Sequence, residues 1–120
     1  SVTNRRSMIY IQNLVDVLIA SSVHPKAAGQ TYLVSDDHAV PTAELIKDMA
    51  RLMGMPARLW FCPPNLLRLA GKVARKSEEV ERLTGSLVIN STKIREDLEW
   101  SPPYSSGQGL VETVRWFQAL

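Results

Sequence analysis

Arg6-Ser7-Met8-Ile9-Tyr10-Ile11-Gln12-Asn13-Leu14-Val15-Asp16 is the stretch whose reading decides the fold. An arginine enters the short run Ser7 to Ile11, which is apolar at Met8, Ile9 and Ile11 and so reads as a strand. Asn13 then has the side chain of a helix N-cap, and Asp16 carries the sign of charge that a helix N-terminus favours. Leu14, Val15, Leu18 and Ile19 follow at helical spacing up to Val23, an apolar stripe that predicts one buried face. Pro25 and Gly29 end the helix and open a loop. A strand running straight into an amphipathic helix points to a mixed α/β fold.

The pattern repeats downstream. Gln30 to Ser35 holds Tyr32, Leu33 and Val34 and predicts a buried strand, with Asp36-Asp37-His38 as the turn after it. Pro41 or Thr42 starts a second helix with Leu45, Ile46, Met49, Ala50, Leu52 and Met53 inward and Gly54 closing it. Residues 57–61 alternate as a strand stopped by Pro63-Pro64. Residues 65–76 and 78–83 read as helical, and Leu87-Val88-Ile89 as a short strand. Ser91 or Thr92 caps a turn of helix through Ile94 and Leu98, which Trp100-Ser101-Pro102-Pro103 breaks. Leu110, Val111, Val114 and Phe117 mark a last amphipathic helix. No internal repeat is visible.

Composition narrows the classes. At 120 residues the chain is one domain or part of one, and Ser1 to Asn4 gives no domain start, so a piece of a longer polypeptide is expected. The apolar content of 45% suits a globular core rather than a disordered chain. Fourteen basic against twelve acidic residues leave a mild charge of +2, which does not suggest a nucleic-acid binder. The single cysteine, Cys62, rules out an internal disulfide framework and reads as a small buried hydrophobe. His24 and His38 have no second ligand at metal spacing. No signal peptide or long apolar run is present, so a soluble, cytoplasmic protein without a membrane partner is expected.

Four pieces, in order along the chain, resemble the C-terminal portion of an extended short-chain dehydrogenase/reductase of the NAD-dependent nucleotide-sugar epimerase/dehydratase family. They are Arg6 to Asp16; Gly29-Gln30-Thr31-Tyr32-Leu33-Val34-Ser35-Asp36 with Thr42-Ala43-Glu44-Leu45; Ser91-Thr92-Lys93-Ile94 with Leu98-Glu99-Trp100-Ser101-Pro102, similar to an S-x-K ending closed by LGW-x-P; and Gly109-Leu110 with Thr113 and Trp116. The resemblance implies the substrate-binding lobe of a Rossmann-type enzyme, residues 1–120 as one lobe, without the nucleotide-binding first half. The family's G-x-x-G-x-x-G loop is absent, and so is its Tyr-x-x-x-Lys pair: four residues beyond Tyr10, Tyr32 and Tyr104 stand Leu14, Asp36 and Gln108. NAD is therefore expected in the parent enzyme and not on this chain alone, which would catalyse nothing by itself. The implied partners are a nucleotide-diphosphate sugar and an upstream Rossmann domain of the same chain, with a homodimer possible for the full-length protein.

The site residues follow from the same resemblance. Arg6 matches the family's arginine before the apolar strand, which contacts the diphosphate of the sugar nucleotide; a guanidinium fork suits phosphate oxygens. Arg5 is the neighbour able to do the same, and Arg82, three residues before Gly85, stands where the family often places a second phosphate-binding arginine. Asn13 is read as a helix cap at a position near the cofactor's edge in the family. Arg68, Lys72, Arg75 and Lys76 form a basic stripe read as a solvated face. Trp60, Trp100 and Trp116 read as core or helix-packing residues, with Trp60 and Phe61 the alternative lining of a base-stacking pocket. The implied function is to hold the sugar nucleotide for transient hydride transfer to NAD. The alternatives are a stand-alone non-catalytic interaction or regulatory domain and the lobe of a sugar-nucleotide reductase.

Overall fold

The helix announced by the opening stretch begins at Ile11, two residues before the predicted cap. In the computed structural model, which describes residues 4–55 and 86–120, the elements run β1 (Arg5–Arg6), α1 (Ile11–Val23), a 3-10 turn (Pro25–Ala27), β2 (Val40–Pro41), α2 (Thr42–Leu52), α3 (Thr92–Leu98) and α4 (Ser106–Gln118). The readings made at residues 57–61, 65–76 and 78–83, with Cys62, Trp60, Phe61, Arg82 and the basic stripe, lie outside the described residues. Among the described residues no helix is long and apolar enough to cross a membrane. The chain divides into two compact units, Ser1–Arg6 with Val40–Leu87, and Ser7–Ala39 with Val88–Leu120.

In the first unit β1 pairs antiparallel with β2, Arg5 opposite Pro41 and Arg6 opposite Val40. Leu87 joins as a single parallel bridge to Arg6, its amide donating to the Arg5 carbonyl at 3.0 Å. The predicted strand 87–89 is thus one bridge, and the ladder sits on the arginines rather than on residues 7–11. α2 carries Glu44 in its first turn and Arg51 in its last, each suited to the helix dipole. It ends as its glycine foretells: Gly54 takes φ +70°, its amide donates to Arg51 O, and the amide of Met55 donates to Ala50 O. That pair of bonds is the Schellman arrangement, which needs a left-handed residue after the helix.

The second unit is built on α1, α3 and α4. Val17, Ile94, Leu98 and Trp100 form its buried cluster, with Leu14, Ala20, Ala27, Tyr32 and Val34 packed around it. Leu14 and Val17 therefore supply the inner face of α1, while Val15, Leu18 and Ile19 of the predicted stripe are exposed. In α4, Val114 is buried, but Val111, Trp116 and Phe117 are not, so Trp116 is no core residue here. Gln30 to Ser35 alternates in burial as a strand does, with Tyr32 and Val34 inward, yet it joins no ladder among the described residues. At α3 the Thr92 amide is capped by the Asn90 side chain at 2.9 Å, not by Ser91 or Thr92.

Candidate functional site

Neighbouring strand residues point to opposite faces, so Arg5 and Arg6 cannot both serve one ligand from β1. Arg5 is exposed and Arg6 half-buried. Both backbones are fixed: the Arg5 amide donates to Ser86 Oγ at 3.1 Å and its carbonyl accepts from Leu87, while Arg6 lies between β2 and the Leu87 bridge. Among the described residues neither guanidinium is held by a carboxylate. A fixed backbone with uncommitted guanidinium donors suits a phosphate. The third candidate, Arg82, lies outside the described residues.

Asn13 is not a cap. It stands inside the first turn of α1, whose N-cap is Tyr10, and its side chain is wholly buried. Its Nδ2 donates to Asp36 Oδ1 at 2.7 Å and to the Tyr104 carbonyl at 3.0 Å, and its Oδ1 accepts from the Tyr104 amide at 3.0 Å. The side-chain amide thus pairs with the amide and carbonyl of one residue, as a strand neighbour would. Asp36 Oδ1 also accepts from the Tyr10 amide at 3.0 Å. The only sequence signal for this hub is an asparagine just inside a helix, because its partners are remote. Asp16 likewise does not serve the helix terminus: its carboxylate accepts from Trp100 Nε1 at 2.8 Å.

The hub brings Tyr10 and Tyr104 edge to face, with centroids 5.5 Å apart and planes at 87°. Gly109 closes the other side of Tyr10: a Cβ there would lie 2.8 Å from the tyrosine's Cβ and Cγ, so only glycine lets α4 approach this closely. An open cleft of about 520 Å³ results, lined by Tyr10, Gln12, Tyr104, Gln108, Val111 and Glu112. Of the described residues predicted to bind substrate, neither Arg5 nor Arg6 lines it.

Two further groups tie distant parts of the second unit together. Lys93, the lysine of the S-x-K piece, donates to the Thr31 carbonyl at 3.1 Å and lies 5.0 Å from the Tyr32 ring centroid. The Tyr32 hydroxyl donates to Asp97 Oδ2 at 3.1 Å, and partial burial, then that bond and the Asp97 charge, push it above its ordinary value. At the start of α4, Asp37 Oδ1 accepts from the Ser106 amide at 3.1 Å and from the Ser106 hydroxyl at 2.6 Å. Burial works to raise the Asp37 carboxyl. The Ser106 bonds and nearby His38 outweigh it and hold the group below the usual carboxylate range.

A resident NAD does not fit the residues described. Gly29 and Gly54, with φ +73° and +70°, follow helices, and Gly107 and Gly109 lie within α4. None stands in a turn from strand to helix, where a dinucleotide's phosphates are cradled. No group of three His, Cys, Asp or Glu able to hold a metal occurs among the described residues.

No family model matches the chain. It is 40% identical over 95% of its length to the UDP-glucose 4-epimerase of Vibrio cholerae. In structure it superposes over 98% of its length on a dTDP-glucose 4,6-dehydratase from Bacillus anthracis, solved in complex with NAD, with a TM-score of 0.69 at 18% identity, a likeness of fold. These likenesses support a fragment of a short-chain dehydrogenase of the epimerase/dehydratase kind. Another relative is an uncharacterised protein of Sinorhizobium fredii, y4nL, 25% identical over 94% of the chain. The chain spans about a third of the length of these proteins: 35% of the epimerase, 36% of y4nL and 32% of the dehydratase. The mixed α/β fold is that of part of a Rossmann-type enzyme.

Proposed function

We propose that the chain is the sugar-nucleotide-binding part of an NAD-dependent nucleotide-sugar epimerase or dehydratase, acting in the cytoplasm. The observation that supports this most is the 40% identity to a UDP-glucose 4-epimerase across nearly all of the chain. In this reading Arg6, anchored in β1, grips the diphosphate, with Arg82 as a second phosphate contact and Arg5 on the opposite face as the lesser candidate. Holding the diphosphate orients the sugar, and orientation is the contribution expected of these residues. The hydride exchange with NAD belongs to the nucleotide-binding part. The complete protein would join this lobe to an upstream Rossmann domain, with a homodimer as its assembled form.

The test uses the intact native polypeptide that carries this chain. Arg6→Ala is expected to raise KM for the nucleotide sugar roughly ten- to a hundred-fold, the loss of a charge-assisted phosphate contact, with a much smaller change in kcat. An unchanged KM overturns the assignment of Arg6.

A further inference from the structure

We propose that the cleft between the start of α1 and α4 binds a neutral saccharide, a ligand separate from the phosphate assigned to Arg6. Its walls are fixed before any ligand arrives. Tyr10 is held at its amide by Asp36 and at its carbonyl by the Leu14 amide, each at 3.0 Å. Asn13 holds both the amide and the carbonyl of Tyr104. Gly109 lets α4 close on the Tyr10 side chain, and the two tyrosine rings brace each other edge to face. The volume of about 520 Å³ falls within the span of small-molecule sites, roughly 300–1,000 Å³. A site already in shape keeps the ordering cost of binding low.

The polar groups on those walls are uncommitted. Among the described residues, the hydroxyls of Tyr10 and Tyr104 and the carboxamide of Gln12 have no hydrogen-bond partner. Gln108 accepts from the Ser105 amide with Oε1 and keeps Nε2 for a ligand. Glu112 accepts from Arg115 Nη1 with Oε1 and keeps Oε2. Donors and acceptors thus stand together beside two aromatic rings. That mix decides the ligand class. No lysine or arginine lines the cleft, so a phosphate has no partner there. A cation finds Glu112 already paired with Arg115. A nucleobase stacks flat on an open ring face, and rings set at 87° leave no parallel slot for it. A sugar ring has an apolar C–H face and a rim of hydroxyls that both donate and accept. Tyrosines, apolar in body and polar at the tip, meet both.

Saturation-transfer NMR on the intact native polypeptide tests this, with the methyl glycosides of glucose, galactose and mannose as probes. Transfer to the ring protons of at least one glycoside is expected, and it should persist when uridine diphosphate is added in excess. Gln12 is exposed and has no partner among the described residues, so Gln12→Ala leaves the fold alone. It should weaken binding roughly three- to tenfold, the loss of one neutral hydrogen bond. Val111→Trp fills the cleft and should abolish binding. Absence of transfer to every glycoside overturns the proposal, and so does transfer that both variants leave unchanged. Transfer that uridine diphosphate removes also overturns it, because the sugar then occupies the sugar-nucleotide site. None of these results bears on Arg6, which is judged by its own KM test.

Discussion

Glu99 is the one residue other than glycine with positive φ among the described residues, at φ 52° and ψ 33°. It ends α3 in the left-handed conformation, where its Cβ crowds the backbone. The family-like ending it resembles has glycine at this position. Glu99→Gly relieves that crowding, partly offset by the freedom glycine gains in the unfolded chain. The expected net gain is about 1 kcal/mol, read as a rise of a few degrees in Tm, whereas Glu99→Ala should give none of it. A neutral Glu99→Gly would mean the backbone there is not strained. The departure from glycine is visible in the sequence; its consequence follows from α3 ending two residues before Trp100, which the core holds. Gly54 was equally legible, because a glycine after an apolar helical run has few other uses. Asn13 was not, since its partners Asp36 and Tyr104 lie 23 and 91 residues away.

The start of α4 combines local and distant capping. Ser105 and Gln108 form a reciprocal capping box, a signal written within four residues. Asp37 adds a carboxylate from 69 residues away, bonded to the Ser106 amide and hydroxyl. Because its folded pKa is depressed, its contribution is present above the ordinary carboxylate pKa of about 3.9 and is lost as pH falls through the folded value. Asp37→Ala is expected to cost about 0.5–1 kcal/mol at pH 7, with the gap closing towards pH 2. Urea midpoints for the two proteins at both pH values measure it; a gap that persists at pH 2 would show that packing, not charge, is lost. Helices were the legible elements, since caps and glycines are local. Strands were not. β1 falls on two arginines because Val40 and Leu87 pair there, and Thr31 to Ser35 has strand-like burial without a ladder. Periodicity reports which side of a segment is buried and says nothing about whether a neighbour exists.

Across the whole molecule, the family was legible from four short pieces in order, whereas the way the second unit holds together was not. That unit is closed by bonds between its sequence extremes: Asn13 to Tyr104, Asp16 to Trp100, and the Ile89 amide to Ser7 Oγ at 2.8 Å. Its buried apolar residues are few, Val17, Ile94, Leu98, Trp100 and Val114, so each polar closure is a large share of its stability. Asn13→Ala removes three hydrogen bonds at once and leaves the partly buried Tyr104 amide and carbonyl, and a share of the buried Asp36 carboxylate, unpaired. Each such group costs about 1–3 kcal/mol, against a total of roughly 5–15 kcal/mol for an ordinary domain. Asn13→Ala is therefore expected to abolish cooperative unfolding of the second unit, seen as loss of the near-ultraviolet circular dichroism of Trp100 and Tyr104. Asn13→Asp separates packing from bonding. It keeps the size and the acceptor for the Tyr104 amide but loses the donors and sets a second carboxylate against Asp36. It should therefore be nearly as damaging at pH 7 and recover in part when acid supplies a proton to the pair. If Asn13→Ala unfolds cooperatively with an unchanged midpoint, the second unit is held by its apolar cluster and the hub is incidental to it.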